Sequence, residues 1–223
     1  IINDSEEMKK IYYEIFGIDS KVIAYGSNEK IIYSNEYLNV LNIKPRDYYL
    51  VVGRLIPDNN ADIIIKGFLN SNSQKKLVVV GDVPYKDSYS IKIKNTNDQR
   101  VIFTGYIKDQ DKLSELYRNS YVYVHGHEFG GTNPTMIKAL SSGCAILALD
   151  TRFNNEMLNE GEFGIFFKKN FQSISAMIKY CENNSKKIKS LRENSINGIT
   201  DKYNWNYITD QYIDVFKNLI FRN

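Results

Sequence analysis

Five consecutive residues, Gly130-Gly131-Thr132-Asn133-Pro134, have types and spacing that could bind an anion. Asparagine before proline is a helix start: the Asn133 side chain can accept an early helix N–H, and Pro134 at the first helical position has no needed donor to lose. The glycines let the backbone approach a ligand closely, and the free N–H groups with the helix dipole favour negative charge. A diphosphate suits such a place. A tight turn would use the same glycines, and the segment alone does not choose between the two. Just upstream stand His125, His127 and Glu128. The histidines, two apart at a strand end, project to one side, but the chain has only 2 histidines, so nothing completes a metal site and no metal is expected. Either a hydrogen bond to a sugar or phosphate oxygen, or purely local bonding, would occupy them. A third candidate is Arg54, which follows Gly53 at the end of an apolar run. Its planar fork of donors can clamp a pyrophosphate as lysine cannot; the alternative is a surface ion pair with Asp58 or Asp62.

Positioning these groups requires strands that end beside helix starts. Short apolar runs at 21–24, 48–52, 77–80, 101–103, 121–124 and 145–149 read as buried strands, mostly β-branched or aromatic and followed by glycine or polar turns. Between several of them lie segments of helical period at 62–69, 109–119, 134–142 and 153–159, with a helix-to-strand loop at 70–73. The alternation predicts an α/β fold, a doubly wound parallel sheet whose ligand crevice lies beyond the carboxyl ends of the strands. The last quarter is helical, with helices expected at 171–183, 186–203 and 205–220. Trp205, Ile208, Tyr212, Val215, Phe216 and Leu219 keep to one face of the last, a stripe that would close the domain's own core.

With 223 residues, 43% hydrophobic and 25% charged, the chain is long enough to bury a substantial core and is not a disordered polymer. A net charge of +3 with lysines scattered among acids gives no nucleic-acid-binding stripe, though it leaves a mild attraction to anionic ligands or membrane surfaces. Cys144 and Cys181 sit in unrelated contexts and suggest neither a disulfide framework nor a metal site. No apolar run approaches the roughly 18 residues of a membrane span, and no secretory leader opens the sequence. A cytoplasmic setting is expected. The sequence begins at Ile1 and enters a helical pattern at once, which reads as part of a longer protein.

Taken in order, these segments resemble the C-terminal, donor-binding domain of GT-B glycosyltransferases, in particular retaining family 4. The resemblance runs through Ile23-Ala-Tyr-Gly-Ser, Val51-Val-Gly-Arg-Leu-Ile-Pro, Leu77-Val-Val-Val-Gly-Asp and Val101-Ile-Phe-Thr-Gly-Tyr-Ile. It continues through Leu116-Tyr-Arg-Asn-Ser-Tyr-Val-Tyr-Val, the glycine segment, Ala139-Leu-Ser-Ser-Gly-Cys-Ala-Ile and Tyr203-Asn-Trp-Asn-Tyr. The wording His-Gly-His-Glu-Phe-Gly-Gly-Thr-Asn-Pro, with Pro57-Asp-Asn-Asn, is similar to bacterial rhamnosyltransferases of capsule and surface-polysaccharide synthesis. The resemblance implies a metal-independent, cofactor-free hexosyltransferase moving a sugar, such as rhamnose from a thymidine diphosphate donor, to a polysaccharide or lipid-linked glycan. It implies that residues 1–20 end, or lead from, an absent N-terminal domain, that residues 21–203 bind the nucleotide sugar, and that residues 204–223 pack back toward that domain. Arg54, Asn59 and the backbone of Gly130, Gly131, Thr132 and Asn133 would hold the diphosphate. Tyr106 and Ile107 would cover the base; His125, His127 and Glu128 are candidate sugar contacts by their own place before the glycines, not by the resemblance. Action at the inner face of the plasma membrane would follow from a lipid-linked acceptor.

Two departures from the family pattern matter. Two glutamates eight residues apart usually span the glycine segment, and here those positions are Gly130 and Lys138; the usual basic residue after the arginine is Asn59. Lysine offers three donors and no acceptor while charged, so Lys138 cannot bond ribose hydroxyls as glutamate does. One turn into the helix and leaning back toward its start, it is expected to reach a phosphate and replace the charge absent at Asn59. The other readings are lost activity and a plain surface residue. A non-catalytic GT-B-like subunit that binds nucleotide sugars or a partner enzyme is the alternative, and a fragment lacking the N-terminal domain is expected to be inactive.

Overall fold

The computed structural model describes residues 1–27, 33–85, 87–200 and 202–220. Along the chain run Ile2–Asn3 (β1), Glu6–Phe16 (α1), Lys21–Val22 (β2), Glu36–Val40 (α2), Tyr48–Val52 (β3), Ala61–Ser71 (α3), Lys76–Val80 (β4) and Ser88–Lys94 (α4). Then come Val101–Gly105 (β5), Gln110–Asn119 (α5), Val122–His125 (β6), Pro134–Ser141 (α6), Ile146–Leu149 (β7), Arg152–Met157 (α7) and Ile165–Phe167 (β8). Phe171–Asn183 (α8), Ser185–Asn194 (α9), Asn197–Thr200 (α10) and Trp205–Ile220 (α11) complete it.

Six strands form one parallel sheet in the order β5-β4-β3-β6-β7-β8. Alternation along each strand explains why it is covered on both sides. Tyr48, Leu50, Val78, Val80, Tyr123 and Ile146 enter one core, while Tyr49, Val51, Leu77, Val79, Val122 and Leu147 enter the other. Both faces are apolar because helices cover both. Counted from β3, the strand order is 3-2-1-4-5-6, so the chain reverses direction of travel between β3 and β6, the point where such sheets open a crevice.

The expected doubly wound sheet is therefore present, with corrections at its margins. Residues 21–24 do not join it: β2 pairs with β1, Ile2 opposite Lys21 and Asn3 opposite Val22, in a separate two-stranded parallel sheet. The run has the composition of a buried strand, but composition does not name the partner. The sixth strand is instead β8, only three residues long and so too short to show a period. The helix expected at 186–203 breaks into α9 and α10 (Asp201 lies outside the described residues). The break serves packing: buried Ser195 donates its hydroxyl to the Leu140 carbonyl, and a Cβ on Gly198 would sit 3.1 Å from the Phe163 ring. Helix α3 runs through Ser71 into the expected loop and stops where Asn72 turns left-handed at φ 61°.

On α11, Ile208 is buried, and Tyr212 and Val215 pack on the core. Much of the remaining apolar surface faces outward, with Phe216 56% and Leu219 64% exposed. The stripe thus closes the core with its first half only.

Candidate functional site

Strands β3 and β6, on either side of the reversal, end at one cavity of about 230 Å³. To it β3 delivers Gly53 and Arg54, β6 delivers His125, Gly126 and His127, and the start of α6 delivers Asn133, Pro134 and Thr135. Asn59 joins them from the short turn Pro57–Asn59. These loops approach one another where side chains are missing. A Cβ on Gly81, which holds φ +132°, would lie 1.9 Å from the Gly53 carbonyl oxygen, and one on Gly126 would lie 2.4 Å from that of Asn59.

The helix start is formed as its sequence dictates. Asn133 caps α6, its Oδ1 accepting the Thr135 N–H at 3.0 Å, and Pro134 occupies the first turn. Gly130 sits at φ +104°, a backbone conformation costly for a residue with a Cβ, so a glutamate there would require a differently folded turn.

Around the cavity the polar groups divide by role. Arg54 is exposed on the rim, and neither acid offered as its partner holds it: Asp62 accepts the Tyr89 hydroxyl at 2.7 Å, and Asp58 makes no ion pair among the described residues. Asn59 is a brace, donating Nδ2 to the Arg54 carbonyl at 2.7 Å and meeting His127 Nδ1 with Oδ1 at 2.8 Å. Burial, with the Arg54 charge adding to it, lowers the pKa of His127. His125 is buried outright, and desolvation, reinforced by His127, pushes its pKa down to about 3. The wall is therefore two neutral imidazoles, a guanidinium with no ion-pair partner among the described residues, and a helix N-terminus. It suits an anion at the rim and uncharged groups below.

Other expected site residues lie around this centre rather than in it. Glu128 points to Lys169, with which it forms an ion pair. Thr132 is buried beneath the N-terminal segment, its hydroxyl donating to the Asp4 carbonyl. A Cβ on Gly131 would collide with the Asp4 carboxylate at 1.9 Å. Lys138 donates to Gln110 Oε1 at 3.0 Å, at the start of α5, and does not line the cavity. Tyr106 is 76% exposed just before α5, whereas Ile107, at 7%, belongs to the core. Any cover that Ile107 gives a ligand comes from its backbone.

Several participants have no local sequence signature. Glu156 on α7 accepts the N–H groups of Glu6 and Glu7, each at 2.9 Å, capping α1 from another element. Asp4 is far in sequence from the turn it touches. Tyr123 and Thr135 extend the network behind His125, and the Tyr-Val-His alternation of β6 was the one hint of it. Among the described residues no group of three or more His, Cys, Asp or Glu is placed to hold a metal ion, and no helix is long and apolar enough to cross a membrane.

Comparison with known proteins agrees with this geometry. The family model for glycosyl transferases group 1 matches residues 34–198. An uncharacterized glycosyltransferase of Methanocaldococcus jannaschii is 28% identical over 207 residues, 90% of this chain and 50% of its own length. A Campylobacter jejuni N-acetylgalactosaminyltransferase, named as acting on a diphospho-undecaprenol-linked sugar, is 24% identical over 139 residues, 59% of this chain and 37% of its own. The chain thus spans half or less of these curated relatives. Among solved structures, Anabaena HepE in complex with UDP and glucose superposes with a TM-score of 0.86 at 17% identity, covering 97% of this chain and 62% of that one. Sucrose-phosphate synthase of Thermosynechococcus elongatus gives 0.84 at 19%, covering 100% and 58%. These likenesses establish the GT-B Rossmann-like fold.

Proposed function

The chain belongs to the glycosyl transferases group 1 family, and on that premise we propose that it is the donor-binding part of a glycosyltransferase using a nucleoside diphosphate sugar. The observation that carries this is Arg54. A guanidinium that is exposed and without an ion-pair partner among the described residues faces the positive end of the α6 dipole across the cavity at the sheet's reversal, an arrangement complementary to a diphosphate. A metal-independent reaction follows from the same pairing, since arginine and helix dipole together offset the charge of the leaving diphosphate. Asn59 holds the Arg54 loop, the backbone of Gly130 and Gly131 offers donors beside the α6 start, where the Asn133 N–H is already held by Met157 Sδ at 3.2 Å, and Tyr106 offers its exposed ring to the base. At about 230 Å³ the cavity falls below the roughly 300–1,000 Å³ of pockets that enclose whole ligands. It fits the diphosphate and adjoining ring, and leaves the nucleoside on the open face toward Lys138 and Gln110.

Rhamnose from a thymidine diphosphate donor is the sugar we favour, on the wording of residues 125–134. A lipid-linked or polysaccharide acceptor at the inner membrane face is supported by the name of the Campylobacter relative. The small β1–α1–β2 unit belongs, in this reading, to a preceding domain, and the exposed half of α11 packs against that domain. A second reading, binding without transfer, is favoured by Lys138 standing where the family pattern has an acceptor. Calorimetry of the chain with thymidine, uridine, guanosine and adenosine diphosphates, with and without sugar, tests the proposal. Arg54→Ala should weaken the preferred ligand by about 10- to 100-fold, the worth of a charge-assisted hydrogen bond pair. Unchanged affinity would remove the diphosphate from this site, and donor turnover by a longer protein containing this domain would dismiss the second reading.

A further inference from the structure

Asn133 fixes the proton order of a short hydrogen-bond chain that ends at the cavity. Its Oδ1 accepts the Thr135 N–H at 3.0 Å, so turning the amide round would forfeit the cap and set two donors together. The same oxygen lies 2.8 Å from Thr135 Oγ1. A carbonyl oxygen carries no proton, so the threonine hydroxyl donates. Having given up its one proton there, Thr135 Oγ1 accepts from the Tyr123 hydroxyl at 3.0 Å. Tyr123 then has no proton for His125 Nδ1, 2.9 Å away. The imidazole must donate, so its proton is on Nδ1.

Nε2 of this neutral ring is consequently a bare acceptor. It is buried and has no hydrogen-bond partner among the described residues, on a residue that borders the cavity. Buried acceptors without partners are rare and mark places where something else supplies the donor. A phosphate oxygen cannot, because near neutral pH it too presents lone pairs. Arg54 and the positive end of the α6 dipole meet that need at the rim.

We propose that His125 Nε2 accepts a hydrogen bond from a hydroxyl or amide N–H of the sugar carried by the donor, so that this residue selects the sugar while Arg54 and α6 hold the diphosphate. The assignment rests on the donor-site reading above. A sugar lacking a donor at that position leaves Nε2 unmet, and sites built around a buried polar group discriminate strongly against such analogues. Burial keeps the ring from escaping this role by taking a second proton.

Two measurements on the whole 223-residue chain test it. Long-range ¹H–¹⁵N imidazole spectra near pH 7 should place the His125 proton on Nδ1 and show Nε2 at the shift of an unprotonated ring nitrogen; a proton on Nε2 overturns the proposal. Calorimetry should compare uridine and thymidine diphosphates with UDP-glucose, UDP-N-acetylgalactosamine and TDP-rhamnose on wild type, His125→Gln and His125→Asn. Glutamine places an amide oxygen near the Nε2 position, whereas asparagine reaches only the Nδ1 position. His125→Asn should lower the affinity ratio of sugar nucleotide to free diphosphate by about tenfold or more, and His125→Gln should keep much of it. Equal weakening of both ligand classes, with the ratio unchanged, overturns the proposal. If wild type binds no diphosphate at all, the donor-site reading and this assignment fall together. If the diphosphates bind but the ratio is indifferent to His125, only the assignment falls.

Discussion

Acid should destabilise this chain through one residue in particular. An unperturbed histidine titrates near about 6.5, whereas in the fold desolvation, helped by His127, holds His125 at about 3. Around the ring stand Tyr123, with Thr135 behind it, and His127, whose ring centroid is 6.1 Å away. Nothing anionic among these rewards protonation. Because the folded pKa is depressed, the contribution of His125 is complete above the unfolded pKa and is lost as pH falls from there toward the folded value. The unfolded chain takes up the proton and the native chain refuses it. Each pH unit in that window costs about 1.4 kcal/mol, so moving from about pH 6.5 to about pH 5 removes about 2 kcal/mol through this ring alone. Urea unfolding followed by far-ultraviolet circular dichroism at both pH values, for wild type and His125→Gln, isolates the effect. His127 and the carboxylates titrate in both proteins and cancel in the difference, and the extra loss in wild type should be about 2 kcal/mol. Equal losses in the two proteins would refute the claim that His125 is held neutral.

Two further substitutions probe the supports of the site. Gly81→Ala would force a Cβ to 1.9 Å from the Gly53 carbonyl oxygen at φ +132°; a loss of about 3 kcal/mol or more in chemical unfolding is expected, with weaker diphosphate binding as the Arg54 loop is pushed aside. Wild-type stability in this variant would mean that the β3 and β4 ends do not touch. Glu156→Gln keeps a hydrogen-bond acceptor but removes the charge at the start of α1, and should speed amide exchange at Glu6 and Glu7 by about two- to tenfold, corresponding to about 0.5–1.4 kcal/mol. Unaltered exchange there would deny the capping role.

The parts of this structure that were legible in the sequence are those whose cause is local or periodic. Asn133-Pro134 states a helix start in two residues, and strands such as Tyr48–Val52 and Ile146–Leu149 announce burial on both faces by being apolar throughout. Contacts distant in sequence were not legible. Val22 looks like any sheet strand, yet its partner is Asn3. Thr132 reads as part of a phosphate cradle, and nothing near it tells that Asp4 lies on top. The expected reach of Lys138 toward a phosphate was argued from its own helix alone, whereas in the fold it meets Gln110, which arrives from another helix. Arg54 fared better because a strand end and the topological reversal together determine where it must point. His125 was visible as a candidate, while its tautomer required four hydrogen-bond distances.

The contact between Asp4 and the glycine turn ties occupancy of the site to the placement of the chain's first residues. The Asp4 carboxylate already lies against Gly131, where a Cβ would stand 1.9 Å from it, and its pKa is raised by burial and by the nearby charge of Glu156. An incoming anion at that backbone must displace a carboxylate and add negative charge beside another. Binding and detachment of the β1–α1 segment are then linked, and linkage is reciprocal. On the proposed donor-site reading, whatever loosens residues 1–6 would strengthen the turn's hold on an anion, and an anion at the turn would loosen residues 1–6 by the same free energy.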